Sequence, residues 1–363
     1  MTIHIINYRY LSVDLSEKTV GGIQTYIDNL CLINKLNGFN TKIYQIASYN
    51  KEVDYDNCTV VGIQCKTSKL SKNAIKKVKG KELVIFATEE LIIKYDGPSI
   101  AIQHGIYWDR PNISVQNKIL NNLYTFRRAR QAYSKICQME YANKIVCVDY
   151  NFINWYRSQV AFPSLNTIAI PNFTEIPKLI EKPKGVINII FARRFMRFRG
   201  TRVFVKAIIP ILEKCQNISV TLAGEGPEEQ YLRDRLEKFS NVKFIKYSSN
   251  ESLNVHEKMH IAIIPTTGSE GTSLSLLEAM ASQCAVICTD VGGMTNVVLD
   301  GYNGLMVKAG DSKQLEMAIY GLLEDEEQRM QLAENAYKTV KQSFSLECWK
   351  NKWSKLILES LEG

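Results

Sequence analysis

Two doubly wound α/β domains are the architecture this sequence predicts. Short apolar, β-branched runs of strand length alternate with amphipathic helical stretches through the first half of the chain. The alternation restarts after Pro171-Asn172 and a charged, proline-bearing segment, Glu175 to Gly185. At 363 residues the chain also exceeds what a single core usually serves, since a domain takes ~150 residues. Strands separated by helices pair in parallel, and a parallel sheet needs helices on both faces.

The first expected domain covers residues 1–172. Its strands are Ile3 to Ile6, Thr41 to Ile46, Thr59 to Ile63, Leu83 to Ala87, Ser99 to Gln103, Lys144 to Val148 and Thr167 to Ile170. A helix follows Gly21-Gly22 and runs from Ile23 to about Leu36. The second domain covers 173–345, with strands at Val186 to Phe191, Ile218 to Leu222, Val242 to Ile245, Ile261 to Ile264 and Ala285 to Cys288. Three helices close the chain, near Ser312 to Leu323, Glu327 to Ser343 and Leu346 to Leu361. Trp349 and Trp353, four residues apart on the last, would anchor it to an apolar surface, and helix 346–363 is expected to join the first domain. Such sheets bind ligands at the carboxyl ends of their strands, so two of them facing each other make a cleft for a nucleotide and a second substrate.

Composition narrows the class. Hydrophobic residues at 45% and charged residues at 23% are those of a folded protein. The apolar run in Met1 to Leu11 is broken by His4, Asn7 and Arg9 and is neither a signal peptide nor a span, so a cytoplasmic protein is expected. Nine cysteines without a CxxC pair fall mainly in apolar runs, as buried reduced thiols do. A formal charge of +8 favours anionic partners. Seven lysines between Lys66 and Lys81 come without an intervening acid, and Arg127, Arg128 and Arg130 sit among Leu123, Tyr124, Phe126 and Tyr133. These are solvated helix faces or a face that rests on an anionic membrane, which would make the protein peripheral on the inner side of the cell membrane. No recognition motif accompanies the charge, so nucleic acid is not an expected partner.

The stretch richest in chemistry is Pro265 to Ala281. A strand ends in a polar, glycine-bearing turn, and a helix is expected to open at about Thr272. The free amides of Gly271, Thr272, Ser273 and Leu274 then point outward at the positive end of the helix dipole, which makes an anion site. Glu270 lies on the turn and Glu278 two helical turns on, where carboxylates suit sugar or ribose hydroxyls; helix capping with a surface carboxylate is the plain alternative. Ile189 to Gly200 is again a strand running into a turn, with four arginines in seven residues that include Arg194 and Arg199. Guanidinium groups there fit a diphosphate, or form a solvated basic loop. Gly224-Glu-Gly226 leaves room for base or ribose and is too short for a dinucleotide fingerprint. In the first half, Gly22 at a helix start lets backbone approach a phosphate, and His104 follows a strand at its carboxyl end, where it is structural or bonds a sugar hydroxyl. His256-Glu-Lys-Met-His260 has the HExxH spacing of zinc proteases, but a strand begins at once where a sustained helix is needed, so no metal site is assigned.

Together these residues resemble retaining glycosyltransferase family 4. The likeness rests on the Gly-Gly turn, His104-Gly105, Arg194 with Arg199-Gly200, Gly224-Glu-Gly-Pro, and the E-x7-E element Glu270 to Glu278, continuing through Val291-Gly292-Gly293 and Asn303-Gly304. It is dense in the second half and loose in the first. The resemblance implies the GT-B fold and transfer of a hexose-type sugar from a nucleotide-sugar donor to a glycan or lipid-linked acceptor. It also implies a role in bacterial surface polysaccharide or lipopolysaccharide biosynthesis, with no cofactor and no metal requirement. Glu270 would contact the donor sugar, Glu278 the ribose, Arg194 and Arg199 the diphosphate, Gly22 a phosphate, and His104 the transferred sugar. The leaving phosphate would help to deprotonate the acceptor on the same face of the sugar. The family usually has Gly where Arg193 stands and Lys where Arg199 stands. A non-catalytic subunit of the same fold, or a nucleotide-sugar epimerase, is the alternative.

Overall fold

The computed structural model describes residues 1–19, 21–105, 118–248, 251–268 and 270–362. Residues 1–105, 118–171 and 349–362 form one unit, and residues 172–348 the other.

In the first unit the strands are β1 (Thr2–Ile6), β2 (Asn40–Ile46), β3 (Lys51–Tyr55), β4 (Cys58–Ile63), β5 (Val84–Phe86), β6 (Ser99–Gln103), β7 (Lys144–Cys147) and β8 (Thr167–Ala169). They line up as β3-β4-β2-β1-β5-β6-β7-β8, parallel throughout except for β3 against β4. That hairpin is missing from the sequence reading for a physical reason. Lys-Glu-Val-Asp-Tyr is a charged edge strand, its register set by a two-residue turn at Asp56-Asn57 with Asp56 at φ 45°. The helices are α1 (Gly22–Leu36), α2 (Leu70–Ile75), α3 (Lys118–Met139) and α4 (Tyr150–Gln159). Ala132, Ile136 and Met139 of α3 share one core with Leu70 and Ala74 of α2 and with Phe86, Ala101 and Cys147 of the sheet.

In the second unit, β9 (Ile187–Ala192), β10 (Ile218–Ala223), β11 (Val242–Ile245), β12 (Ile261–Ile264), β13 (Ala285–Thr289) and β14 (Leu305–Val307) are all parallel. Their order is β11-β10-β9-β12-β13-β14, that of a dinucleotide-binding sheet, with the reversal between β9 and β12. Successive residues serve opposite faces. Ile189 and Phe191 enter the core under α5 (Thr201–Lys214), while Ile190 and Ala192 enter the one under α7 (Leu274–Ala281). Helices α6 (Glu229–Leu236), α8 (Ser312–Glu324) and α9 (Glu326–Ser343) complete the unit.

The last helix, α10 (Leu346–Glu362), returns to the first unit from Trp349 onward. Trp353 is fully buried and its Nε1 donates to the Tyr26 hydroxyl at 2.9 Å, while the Trp349 ring meets Tyr26 edge-on at 4.8 Å. No described helix is long and apolar enough to cross a membrane.

Candidate functional site

Ligands of doubly wound sheets collect where the strand order reverses, and in the second unit that point lies past the carboxyl ends of β9 and β12. The chain leaves β9 into Arg193 and leaves β12 into Pro265, Thr266 and, after a short turn, Glu270. These side chains meet. Arg193 Nη2 donates to Glu270 Oε2 at 2.9 Å and its Nη1 to the Thr266 hydroxyl, which itself donates to Glu270 Oε2 at 3.1 Å. Arg199 Nη1 donates to the same oxygen. The side chains of Arg193 and Glu270 are only 4% and 9% exposed, so their charges are kept by each other rather than by water. Burial alone would raise the Glu270 carboxyl, but attraction to Arg193 and Arg199 outweighs it and holds the group below the usual carboxylate range. Every hydrogen bond to this carboxylate from the described residues falls on Oε2, leaving Oε1 as an acceptor.

The sequence reading placed Arg194 and Arg199 on a diphosphate and gave Arg193 no role. The structure buries Arg193 under Glu270 and leaves Arg194 exposed, in no ion pair among the described residues. Arg199, at 29% side-chain exposure, lies over the Phe198 ring at 5.1 Å and can serve both Glu270 and a ligand. The available signal was the departure from the family's glycine at 193. An arginine just past a buried strand must find a carboxylate, and Glu270 is the acid set at the neighbouring strand end.

The helix expected to open at Thr272 starts two residues later. Ser273 is its N-cap, and α7 begins at Leu274. Thr272 and Ser273 are buried, and the Thr272 carbonyl accepts from Asn172 Nδ2 at 2.8 Å. The cause is the neighbouring turn after β13. Gly293 N donates to the Glu270 carbonyl at 2.8 Å, and a Cβ on Gly293 would lie 2.5 Å from the Gly271 carbonyl carbon. This close packing keeps Gly271 and Thr272 out of the helix. The unpaired amides of the helix start are therefore those of Leu274 and the residues that follow it.

Glu278 sits half-buried on α7. Burial raises its carboxyl, and a hydrogen bond with Ser252 offsets part of that shift. Burial, with Glu278 nearby, pushes the Tyr247 hydroxyl up to about 12. Tyr247 in turn lines an open cavity of about 300 Å³ with Gly224, Glu225, Lys246, Ser248 and Glu251. At Gly224 (φ 139°) an added Cβ would stand 2.1 Å from the Arg193 carbonyl, so this glycine fastens the β10 turn to the Arg193 turn as well as lining the cavity.

In the first unit, Gly22 is the exposed first residue of α1, and Gly21 caps the helix in extended backbone. His104, half-buried past the end of β6, has Nε2 at 2.9 Å from the Ala87 carbonyl, so Nε2 carries the proton and Nδ1 is the acceptor. Burial lowers its pKa to about 4, and the ring stays neutral at physiological pH. Its ring and that of Tyr26 on α1 meet at near right angles, with centroids 5.4 Å apart. The HExxH segment forms turns rather than a helix. His256 donates to the Ser252 carbonyl at 2.7 Å, and His260 engages the backbone of Asn188 and Pro183.

With this geometry, residues 172–339 match the family described as glycosyl transferases group 1. An uncharacterized glycosyltransferase of Methanocaldococcus jannaschii is 25% identical over 266 residues, 72% of this chain and 66% of that protein. The capsular polysaccharide biosynthesis glycosyltransferase CapM of Staphylococcus aureus is 28% identical over 213 residues, 56% of this chain and 53% of that protein. In these matches the chain spans between about half and two thirds of the relatives' own length. Among solved structures, sucrose-phosphate synthase of Thermosynechococcus elongatus superposes with TM-score 0.78 at 17% identity, covering 99% of both chains. Anabaena HepE in complex with UDP-glucose superposes with TM-score 0.72 at 14% identity, over 99% of this chain and 100% of that one. Residues 172–339 thus carry the glycosyl transferases group 1 domain within a two-unit chain of the GT-B fold.

Proposed function

We propose that this chain is a retaining glycosyltransferase that moves a hexose-type sugar from a nucleotide-sugar donor to a glycan or lipid-linked acceptor, in assembly of a surface polysaccharide, without a metal. The observation that carries the reading is the Arg193–Glu270–Arg199 cluster at the reversal point of the second sheet. Two guanidinium groups share one carboxylate and leave one positive charge in a largely buried site. An anion stabilises that arrangement, and a diphosphate beside Arg199 and the α7 amides supplies one. The oxygen Glu270 Oε1 accepts a donor-sugar hydroxyl, Glu278 the ribose hydroxyls, and the cavity beside Tyr247 and Gly224 takes the base. In the first unit Gly22 approaches a phosphate, and the neutral His104 accepts a sugar hydroxyl at Nδ1. Catalysis then consists of positioning the reactants and stabilising the departing diphosphate, whose oxygen takes the acceptor proton. The relation to CapM supports the polysaccharide setting.

The test is calorimetric titration of the metal-free protein with UDP, GDP, dTDP and ADP and then with their hexose derivatives, UDP-glucose first. One nucleotide binds, and Glu278→Ala weakens it by ~10- to 100-fold, the worth of one or two hydrogen bonds to a charged acceptor. Binding of none of the four overturns the reading and brings forward the non-catalytic subunit.

A further inference from the structure

We propose that Cys31 and Cys58 form an oxidant-sensitive dithiol, which a peroxide converts into an intramolecular disulfide. The pair lies in the first unit, and the inference stands on residues that the transferase reading does not use.

Spacings of three and four residues put Asp28, Cys31 and Lys35 on one face of α1. Contacts at both ends of this row fix what the middle residue meets. Asp28 Oδ1 accepts from the Tyr10 hydroxyl at 2.6 Å, and the Tyr10 ring meets Tyr55 of β3 edge-on with centroids 6.1 Å apart. Lys35 Nζ donates at 3.0 Å to Asn57 Oδ1, in the turn that joins β3 to β4. Asn34 Nδ2 donates at 2.9 Å to the Thr41 hydroxyl of β2, the strand that pairs with β4 from Lys42 and Thr59 onward. Between these contacts Cys31 faces Cys58, the first residue of β4, and the two thiols are hydrogen-bonded to each other. Cys58 Sγ gives its own proton to the Tyr55 carbonyl at 3.2 Å, so its lone pairs are left to accept from Cys31. The fold thus holds two sulfur atoms side by side from a helix and a strand.

Their surroundings give the two thiols different chemistry. The hydrogen bond from Cys31 is the largest influence on Cys58 and, with one from Tyr10, outweighs burial and holds this thiol below its ordinary value. Cys31 is driven upward, first by the same hydrogen bond and then by burial. By contrast Cys147, Cys284 and Cys288 lie in the hydrophobic cores, where burial pushes their thiols up. Cys58 is also the more accessible of the pair, at 8% exposure against 2%. A thiol that ionises readily beside a second that stays protonated is the arrangement of an attacking and a resolving cysteine. The Cys58 thiolate attacks one oxygen of hydrogen peroxide, the O–O bond breaks, and the hydroxide that leaves takes up a proton as water. The Cys31 sulfur then attacks the Cys58 sulfenic acid. The S–S bond forms, the S–O bond breaks, and the released hydroxide leaves with the Cys31 proton as a second water. Two thiols are oxidised and one peroxide is reduced.

The experiment exposes the full reduced chain, freed of reductant, to a modest excess of hydrogen peroxide. Remaining thiols are alkylated after denaturation and mapped by peptide mass spectrometry. Two fewer of the nine thiols are alkylated, and one linked peptide pair, lighter by two hydrogen atoms, joins Cys31 to Cys58; dithiothreitol restores both. Cys58 is consumed at least ~10-fold faster than Cys147 or Cys288. In Cys31→Ser the disulfide is lost and Cys58 gains one oxygen, which dimedone captures; in Cys58→Ser neither product forms and Cys31 stays reduced. The linked peptide is read on the wild-type chain, so the test does not depend on either variant folding. Three outcomes overturn the proposal. Cys31 and Cys58 both remain alkylatable at a peroxide dose that oxidises the half-buried Cys65 and Cys137; the disulfide joins other cysteines; or Cys31 is oxidised in Cys58→Ser as fast as in the wild type. Nucleotide titration of the reduced chain tests the transferase reading separately, so failure of one leaves the other standing.

Discussion

Arg193 keeps its charge at 4% side-chain exposure because Glu270 and Thr266 take its donors, which offsets part of the cost of burying it. Replacing it by methionine removes one of two cations from Glu270. The carboxyl pKa then rises, since burial is the largest influence on it and is no longer opposed by both arginines. The sign follows directly. In the wild type Glu270 stays ionised throughout the neutral and mildly acid range, and the contribution to donor-sugar binding proposed for it is independent of pH there. In Arg193→Met the ionised form is lost as pH falls through the raised pKa, and the acceptor at Oε1 goes with it. The expected outcome is that preference for the sugar nucleotide over the bare nucleotide, measured as a ratio of Kd values, drops by ~10-fold at pH 6 and recovers partly at pH 8. Arg193→Lys restores part of it. A ratio that is unchanged and flat with pH in both variants would leave Arg193 a packing residue. From sequence alone, only the family's glycine at position 193 marks Arg193 off from Arg194, Arg197 and Arg199, and the acid that turns it inward is named only by the neighbouring strand end.

At the scale of elements, the turns that follow β9, β10, β12 and β13 are fastened to one another backbone to backbone. Arg193 N donates to the Ala223 carbonyl at 2.9 Å, Phe195 N to Glu225 at 2.8 Å, Thr267 N to Phe198 at 2.9 Å, and Gly293 N to Glu270 at 2.8 Å. The glycines of the motifs are thus largely what allows one turn to lie on the next, and Gly292 and Gly293 are the ones that lie against the Glu270 turn. Gly293→Ala sets a methyl 2.5 Å from the Gly271 carbonyl carbon, which backbone cannot yield without moving Glu270. A loss of ~1–3 kcal/mol in stability, seen by denaturant titration, and a weaker hold on the sugar nucleotide are expected together. Unimpaired binding would mean that the Glu270 turn is insensitive to its neighbour. Strands buried on both faces, such as Ile261–Ile264, were legible as unbroken apolar runs. Lys51–Tyr55 was not, because an edge strand is charged, and Leu305–Val307 was not, because three residues show no period. The start of α7 was misplaced by two residues because a contact from the turn after β13, distant in sequence, overrides the local helix signal at Thr272.

The whole molecule depends on a closure that the order of its units hides. The first unit is discontinuous. Its α1 is covered by α10, which the chain reaches only after completing the second unit, and Tyr26 of α1 meets both tryptophans of α10 and also His104. Removing residues 346–363 uncovers Trp353's partner and leaves the Tyr26 hydroxyl without its donor. Loss of a buried tryptophan costs ~3–5 kcal/mol, and two such losses compare with the 5–15 kcal/mol that hold a whole domain together. A chain ending at Ser345 is therefore expected to lose the calorimetric transition of the first unit or shift it far downward. The second unit, with its own two cores, keeps its transition and the nucleotide affinity proposed for it. If the proposed function holds, transfer activity is lost in that chain, because α1 no longer holds Tyr26 against His104. If the truncated protein melts as the full chain does, α10 is an ornament on the first unit rather than part of its core. If instead both transitions disappear, the second unit draws its stability from the first, and nucleotide binding and the integrity of the His104 side cannot be separated by mutation.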